Sequence, residues 1–308
     1  MKTAVPSAEP AAIRAPAARR HLLGAYLSLG VATLIWSSNA IAVKFALREI
    51  PQMATAALRI TLAALTLLAV YTASGGRIRL ERREASRFLR LGFWGLALSF
   101  TLFTLGLNHT SVSHAVLIGA LSPLAILLFS WREGQERLSP LRLGALLVSL
   151  AGVLLLAFDR QGGASPGWEG DLLLIAGVGC FTFYTVRGKQ LAASYPSLQF
   201  NAHSFLAAAI WLLPLLTVEL VRLPWGEAGW VSWSSLLLSG TIGSAGAYLA
   251  YFYSLRWIQA SQAAVFHYLQ PVLGTALGVL FFQEVLTGRF LLGAALILTG
   301  VVLAERHP

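Results

Sequence analysis

The chain has one cysteine, Cys180, in 308 residues. That excludes an internal disulfide and any multi-cysteine metal site. Charge is also scarce, with 12% of residues charged against 56% hydrophobic. About a quarter of the residues of a soluble domain are charged, so a soluble globular fold is excluded. No Asp or Glu falls deep within a long apolar run; Asp171, Glu219 and Glu284 lie near run ends. A carboxylate proton relay therefore has little support. Missing too are the G-x-x-x-x-G-K-[ST] loop of a nucleotide-driven pump and the H-E-x-x-H of a membrane metalloprotease. "GASP", 163–166, has the outline of a Gly-x-Ser turn, but it sits in a Gly/Pro-rich connection and reads as a loop. No catalytic residue, metal site or cofactor is expected, and the chain is not read as an enzyme.

What the chain has instead is apolar length. Ten runs recur, at about 22–43, 51–72, 88–108, 111–130, 141–158, 170–187, 198–221, 231–254, 260–282 and 288–304. Each is near the roughly 20 residues that cross a hydrocarbon core of about 30 Å. The expected fold is all-α and polytopic, with ten transmembrane helices. Residues 1–21, rich in Ala and Pro, read as a disordered tail. A signal peptide fits poorly, because the next run is long and leads directly into further spans.

The net charge of +10 is a topology signal. With the N-terminus in the cytoplasm, seventeen Lys and Arg fall on cytoplasmic segments and five outside, with Arg59 inside the second run the remaining one of 23. The positive-inside rule then puts both termini in the cytoplasm of a multi-pass protein of a bacterial inner membrane. Nucleic acid is not an expected partner; membrane lipids and a small-molecule substrate are.

The chain repeats itself. A shift of 148 aligns 107–140 with 255–288 without a gap, setting Pro123 on Pro271 and Gln135-Glu136 on Gln283-Glu284. A shift of 145 sets Lys44 on Lys189, Pro51 on Pro196, Trp36 on Phe181 and Asn39 on Tyr184. Five helices per copy is an odd number, so the second copy enters the membrane inverted. The expected units are 22–158 and 170–304, joined by a periplasmic linker at 159–169 and ending in a cytoplasmic 305–308. Inverted repeats mark many secondary transporters, whose binding site lies near the midplane between the halves.

Polar groups in the spans suggest where a substrate passes. "IWSSNAIAVK", 35–44, puts Thr33, Ser37, Ala40 and Lys44 along one helix side, with Trp36 and Asn39 on an adjoining edge. Helix–helix hydrogen bonding and cavity lining both fit, and the second is taken forward. In "FHYLQP", 266–271, His267 stands beside Gln270 and Pro271, which deprives the His267 carbonyl of its usual partner. His267 is either a satisfied packing residue or a substrate and proton contact. Pro123 and Pro271 are candidate bends. Phe100, Phe103, Tyr184, Tyr248 and Tyr251 offer aromatic surface for an amphipathic solute, although each alone reads as core. Phe100 and Tyr248 gain weight from their duplicate positions. Ser139 and Thr287 read as N-caps, with Glu136 and Glu284 just before a positive helix end. "GTALG", 274–278, is a small-residue face for close helix approach within a monomer or in a weak dimer.

"WSSNAIAVK" with Pro51 and Arg59, then Pro123, Glu136 and Gly152, then Pro271, Glu284 and Gly300, resembles the EamA-type branch of the drug/metabolite transporter superfamily over 22–304. The resemblance implies a ten-helix, inverted-repeat carrier that exports small metabolites or drugs, often amino acids. Phe181 and Ser204 depart from it, standing where a second Trp and Arg would be. The glutamate that related small multidrug-resistance proteins carry in their first helix is also absent. The expected function is export of small metabolites, with amino acids favoured, by alternating access. Lipophilic drugs or other metabolites are the alternative, and a passive channel is a weaker one.

Overall fold

A computed structural model describes residues 11–77, 82–133, 139–157, 168–223, 225–258, 263, 266 and 269–305. Every regular element among them is helical. In chain order these are α1 (Ala11–Ala46), α2 (Gln52–Ala73) and α3 (Arg82–Leu91), which runs through a π-helical segment (Gly92–Ala97) into α4 (Leu98–His109). There follow α5 (Val112–Gly119), α6 (Ser122–Arg132), α7 (Pro140–Ala157), α8 (Trp168–Ala192) and α9 (Ser197–Arg222). Then α10 (Trp230–Leu238) runs through a second π segment (Ser239–Gly246) into α11 (Ala247–Ser254), followed by α12 (Leu269–Phe282) and α13 (Gly288–Glu305). Among the described residues six helical stretches are long and apolar enough to cross a membrane, and 270–282 and 288–300 form shorter apolar ones.

Residues 11–21, part of the stretch expected as a tail, are helical and continuous with the rest of α1. Alanine is the best helix former, and extending an existing helix avoids the cost of nucleation. Residues 1–10, Glu136, His267, 158–167 of the expected linker and 306–308 lie outside the described residues.

Proline marks a break rather than a smooth bend in the fourth run. The helix stops at Gly119 and restarts at Ser122, with Pro123 in the first turn of α6. A first-turn proline gives up no intrahelical bond. The Ser122 hydroxyl donates to the Gly119 carbonyl across the break, at 2.7 Å. Pro271 lies in α12, and the residues just before that helix, 267 and 268, are outside the described ones.

Packing follows the duplication. α2 packs on α9 and α7 on α13, each helix against its own repeat counterpart. α1 packs on α10, α11 and the second π segment; α8 packs correspondingly on α4 and the first. The π segments themselves occupy duplicate positions, Gly92 and Gly95 matching Gly240 and Gly243.

Charged groups tie the helix ends. The Lys44 ammonium donates to the carbonyls of Leu107 (2.6 Å) and Thr110 (2.7 Å), capping the C-terminal end of α4. Its counterpart Lys189 donates to the carbonyl of Ile258, which matches Thr110. Snorkelling to these carbonyls answers the cost of a lysine in an apolar helix. Thr287 does cap α13, accepting from the Phe290 amide at 3.0 Å. Glu284 serves a different helix from the one its sequence position suggests. Its carboxylate accepts from the amides of Val112 (2.7 Å) and Ser113 (3.0 Å) and from the Ser113 hydroxyl, all at the start of α5.

Glu49, in the turn after α1, accepts from the Ser232 hydroxyl and the Gly229 amide, both at 2.7 Å. These donors, the hydroxyl first, hold its carboxyl below the usual carboxylate range. A folded pKa below the unfolded one gives stability that is present above the unfolded value and lost as pH falls through the folded value. The thermal midpoint of Glu49→Gln should therefore lie below wild type at neutral pH, and the two should converge below about pH 4. A gap independent of pH would show that Glu49 acts through shape alone.

Candidate functional site

A cavity lies at mid-helix depth between the two halves, and the centre of a water molecule can range over about 140 Å³ of it. The first half contributes Trp36, Asn39, Arg59, Ser99, Phe100, Phe103, Gly119 and Ser122 to its wall. The second contributes Leu174, Gly177, Phe181, Gly243, Tyr248 and Gln270. α1 reaches it with its Trp36–Asn39 edge, and the break after α5 opens it at Gly119.

The inner wall is aromatic. The Trp36 ring stands edge-on to Tyr248 (5.3 Å between centroids, 77°) and Phe181 (6.0 Å, 89°), and Tyr248 lies 5.6 Å from Phe100. Edge-to-face contacts of this kind lock the rings and give a stiff apolar surface. Asn39 is 8% exposed and its Oδ1 has no hydrogen-bond partner among the described residues. It rests against Gly243, where an added Cβ would stand 2.1 Å from Oδ1.

Of the ten substrate-path residues expected from sequence, Trp36, Asn39, Phe100, Phe103, Tyr248 and Gln270 line the cavity. Ser37 does not: it is buried and its hydroxyl donates to the Thr33 carbonyl at 2.8 Å, within α1. Tyr184 and Tyr251 are fully buried behind the wall, Tyr184 against Tyr248 and Phe252, Tyr251 against Trp36. Their role is to back the lining. His267, the tenth, is outside the described residues.

The sequence reading passed over Arg59 as a site residue. It lines the cavity at 3% exposure, on α2. Its guanidinium lies over Phe100 (4.8 Å) and Phe103 (5.8 Å), and Nη1 donates to the Thr104 hydroxyl at 3.4 Å. No carboxylate pairs with it among the described residues. An arginine at a span centre costs at least about 2.5 kcal/mol, and that cost was the available signal. Outside the cavity, α5 and α8 bury a second polar cluster: Asp171 accepts from the Thr110 hydroxyl at 3.0 Å and lies 3.4 Å from His114 Nδ1.

Comparison with known proteins agrees with this architecture. The EamA-like transporter family matches the chain twice, over 23–158 and 168–305, once in each half. An uncharacterized transporter of Archaeoglobus fulgidus is 25% identical over 284 residues, 91% of this chain and 98% of that one. One of Bacillus subtilis is 22% identical over 293 residues, 93% and 89% of the two chains. A crystallised protein, 24% identical, shares the fold with a TM-score of 0.65 over 91% of this chain and 96% of its own.

Proposed function

This chain belongs to the EamA-like transporter family, and we propose that it is a secondary transporter exporting small metabolites, amino acids foremost, by alternating access. The observation that carries the reading is one mid-depth cavity walled by both halves, with an aromatic face and the polar groups of Asn39, Arg59 and Gln270. Ten spans in two inverted five-helix repeats complete it. That arrangement is supported by the double family match, the duplicate π segments and the packing of α2 on α9 and α7 on α13. The charge asymmetry favours an inner-membrane protein with both termini in the cytoplasm. Two matched halves can rock in opposite senses about a fixed site, with the break at Pro123 and the proline at 271 as the hinge points. The aromatic wall also suits lipophilic drugs, the second reading.

Counterflow in proteoliposomes tests this. Vesicles preloaded with single unlabelled amino acids should accelerate saturable uptake of the same labelled compound for a few of them. A pH gradient, applied or omitted, tells whether protons drive the exchange. In that assay Trp36→Ala and Asn39→Ala should each cut exchange about tenfold at equal expression. Unchanged exchange in both would make these residues packing and remove the cavity from the path. No exchange with any amino acid by folded protein would shift the cargo to drugs or other metabolites.

A further inference from the structure

We infer that Arg59 is the anchoring site for an anionic group of the cargo, so that the cavity selects small carboxylates with an apolar body. The inference rests on the reading of the cavity as the transport path. Arg59 is the only charged side chain among the described residues of the wall. Its guanidinium lies over the rings of Phe100 and Phe103, and Nη1 donates to Thr104, its one hydrogen bond among the described residues. Nε is buried with no partner among the described residues. A guanidinium packed against two rings has few rotamers left to lose. A guanidinium fork takes a carboxylate with two parallel N–H···O bonds, and the described residues leave the Arg59 Nε donor unengaged.

Charge balance points the same way. A buried cation without a counter-ion is unfavourable until an anion arrives, so the solute itself supplies the neutralising charge. No Asp or Glu among the described wall residues faces inward to receive an ammonium group. A zwitterion would therefore be held mainly by its carboxylate, with its ammonium meeting neutral acceptors such as Asn39 Oδ1. The aromatic wall beyond Arg59 then takes the apolar body. The matching position in the second half is Ser204, so the cavity has one anion site rather than a symmetric pair.

The test does not need the natural cargo. Gly119 lines the cavity, and a Cβ built there meets no atom within 4 Å, so Gly119→Cys can be made in the full chain carrying Cys180→Ser. Labelling rates are then measured with an anionic sulfonate and a cationic trimethylammonium methanethiosulfonate, each normalised to its rate with a free thiol. The anionic reagent should be favoured about tenfold, as a single buried cation within the cavity dictates. Arg59→Gln should bring the ratio to about one, and Arg59→Lys should keep most of it, which guards against a folding defect in the first variant. 3-Phenylpropionate should slow labelling while 3-phenylpropionamide, its neutral counterpart, should not. A ratio unmoved by Arg59→Gln, or equal protection or none by the two compounds, would overturn the anion site and leave the cavity standing. Failure of both reagents to label Gly119→Cys would remove the aqueous path itself.

Discussion

Glu284→Ala is expected to lower stability by about 2–4 kcal/mol, read as a fall in the thermal midpoint of the purified protein in detergent. Glu284 follows α12, yet all three of its described hydrogen bonds are to the first turn of α5, some 170 residues away in sequence. Helix starts leave amide donors without intrahelical partners, and Val112 and Ser113 are both buried, so water does not replace the lost acceptor. A carboxylate there also meets the positive end of the α5 dipole. Lys44 lies within electrostatic reach of Glu284 and would lose that neighbour too. Glu284→Gln keeps one carbonyl acceptor and should recover about half of the loss. Because the contact bridges the halves, the alanine variant should also label faster at cysteines placed in α5 or α12. A midpoint unchanged in Glu284→Ala would mean that apolar packing between α5 and α12 alone holds this end.

The contrast between what was and was not legible in the sequence has physical causes. Apolar runs gave the helices because bilayer thickness and helix rise fix their length. Pro123 marked a disturbance of its run without telling a bend from a break, since Pro214 stands inside an unbroken α9. The duplication was visible where side chains make specific contacts, as Lys44 and Lys189 do at matching carbonyls. Partners across half the chain were not visible. Glu284 reads as serving its own neighbour α13, because local spacing carries no information about α5. The π segments were also hidden, since an extra residue per turn over six to eight residues barely disturbs apolar periodicity. Within the site, periodicity placed Trp36 and Asn39 on one edge but could not separate lining from backing. Tyr184 and Tyr248 are similar in type, and only the packed structure puts one behind the other. Arg59 was the opposite case: the sequence exposed it as a misplaced charge, and only the cavity gave that charge a use.

Gly95→Ala and Gly243→Ala should separate stability from transport, although the two glycines occupy duplicate positions. At Gly95 an added Cβ would stand 2.5 Å from Cβ of Tyr184. Tyr184 is fully buried between Tyr248, Phe200 and Phe252, so neither its base nor its ring can yield. Overpacking of that kind costs about 1–3 kcal/mol and should show as a clear drop in thermal midpoint. At Gly243 the clash is with the tip of Asn39, a short side chain at the cavity wall. Because Cγ would also stand 2.5 Å away, a rotation about χ1 that swings the whole amide aside is needed to relieve it. The short side chain can make that move, so stability should fall by less than about 1 kcal/mol. The rotation removes Asn39 Oδ1 from the wall, and counterflow of the solute that the wild-type protein exchanges should fall about tenfold. The double variant Gly243→Ala, Asn39→Ala should regain the lost midpoint without regaining transport. Coupling of that form belongs to two residues in contact and does not arise from independent defects. Equal midpoint losses at the two glycines, or full transport in Gly243→Ala, would mean that the Asn39 amide has no part in holding the solute.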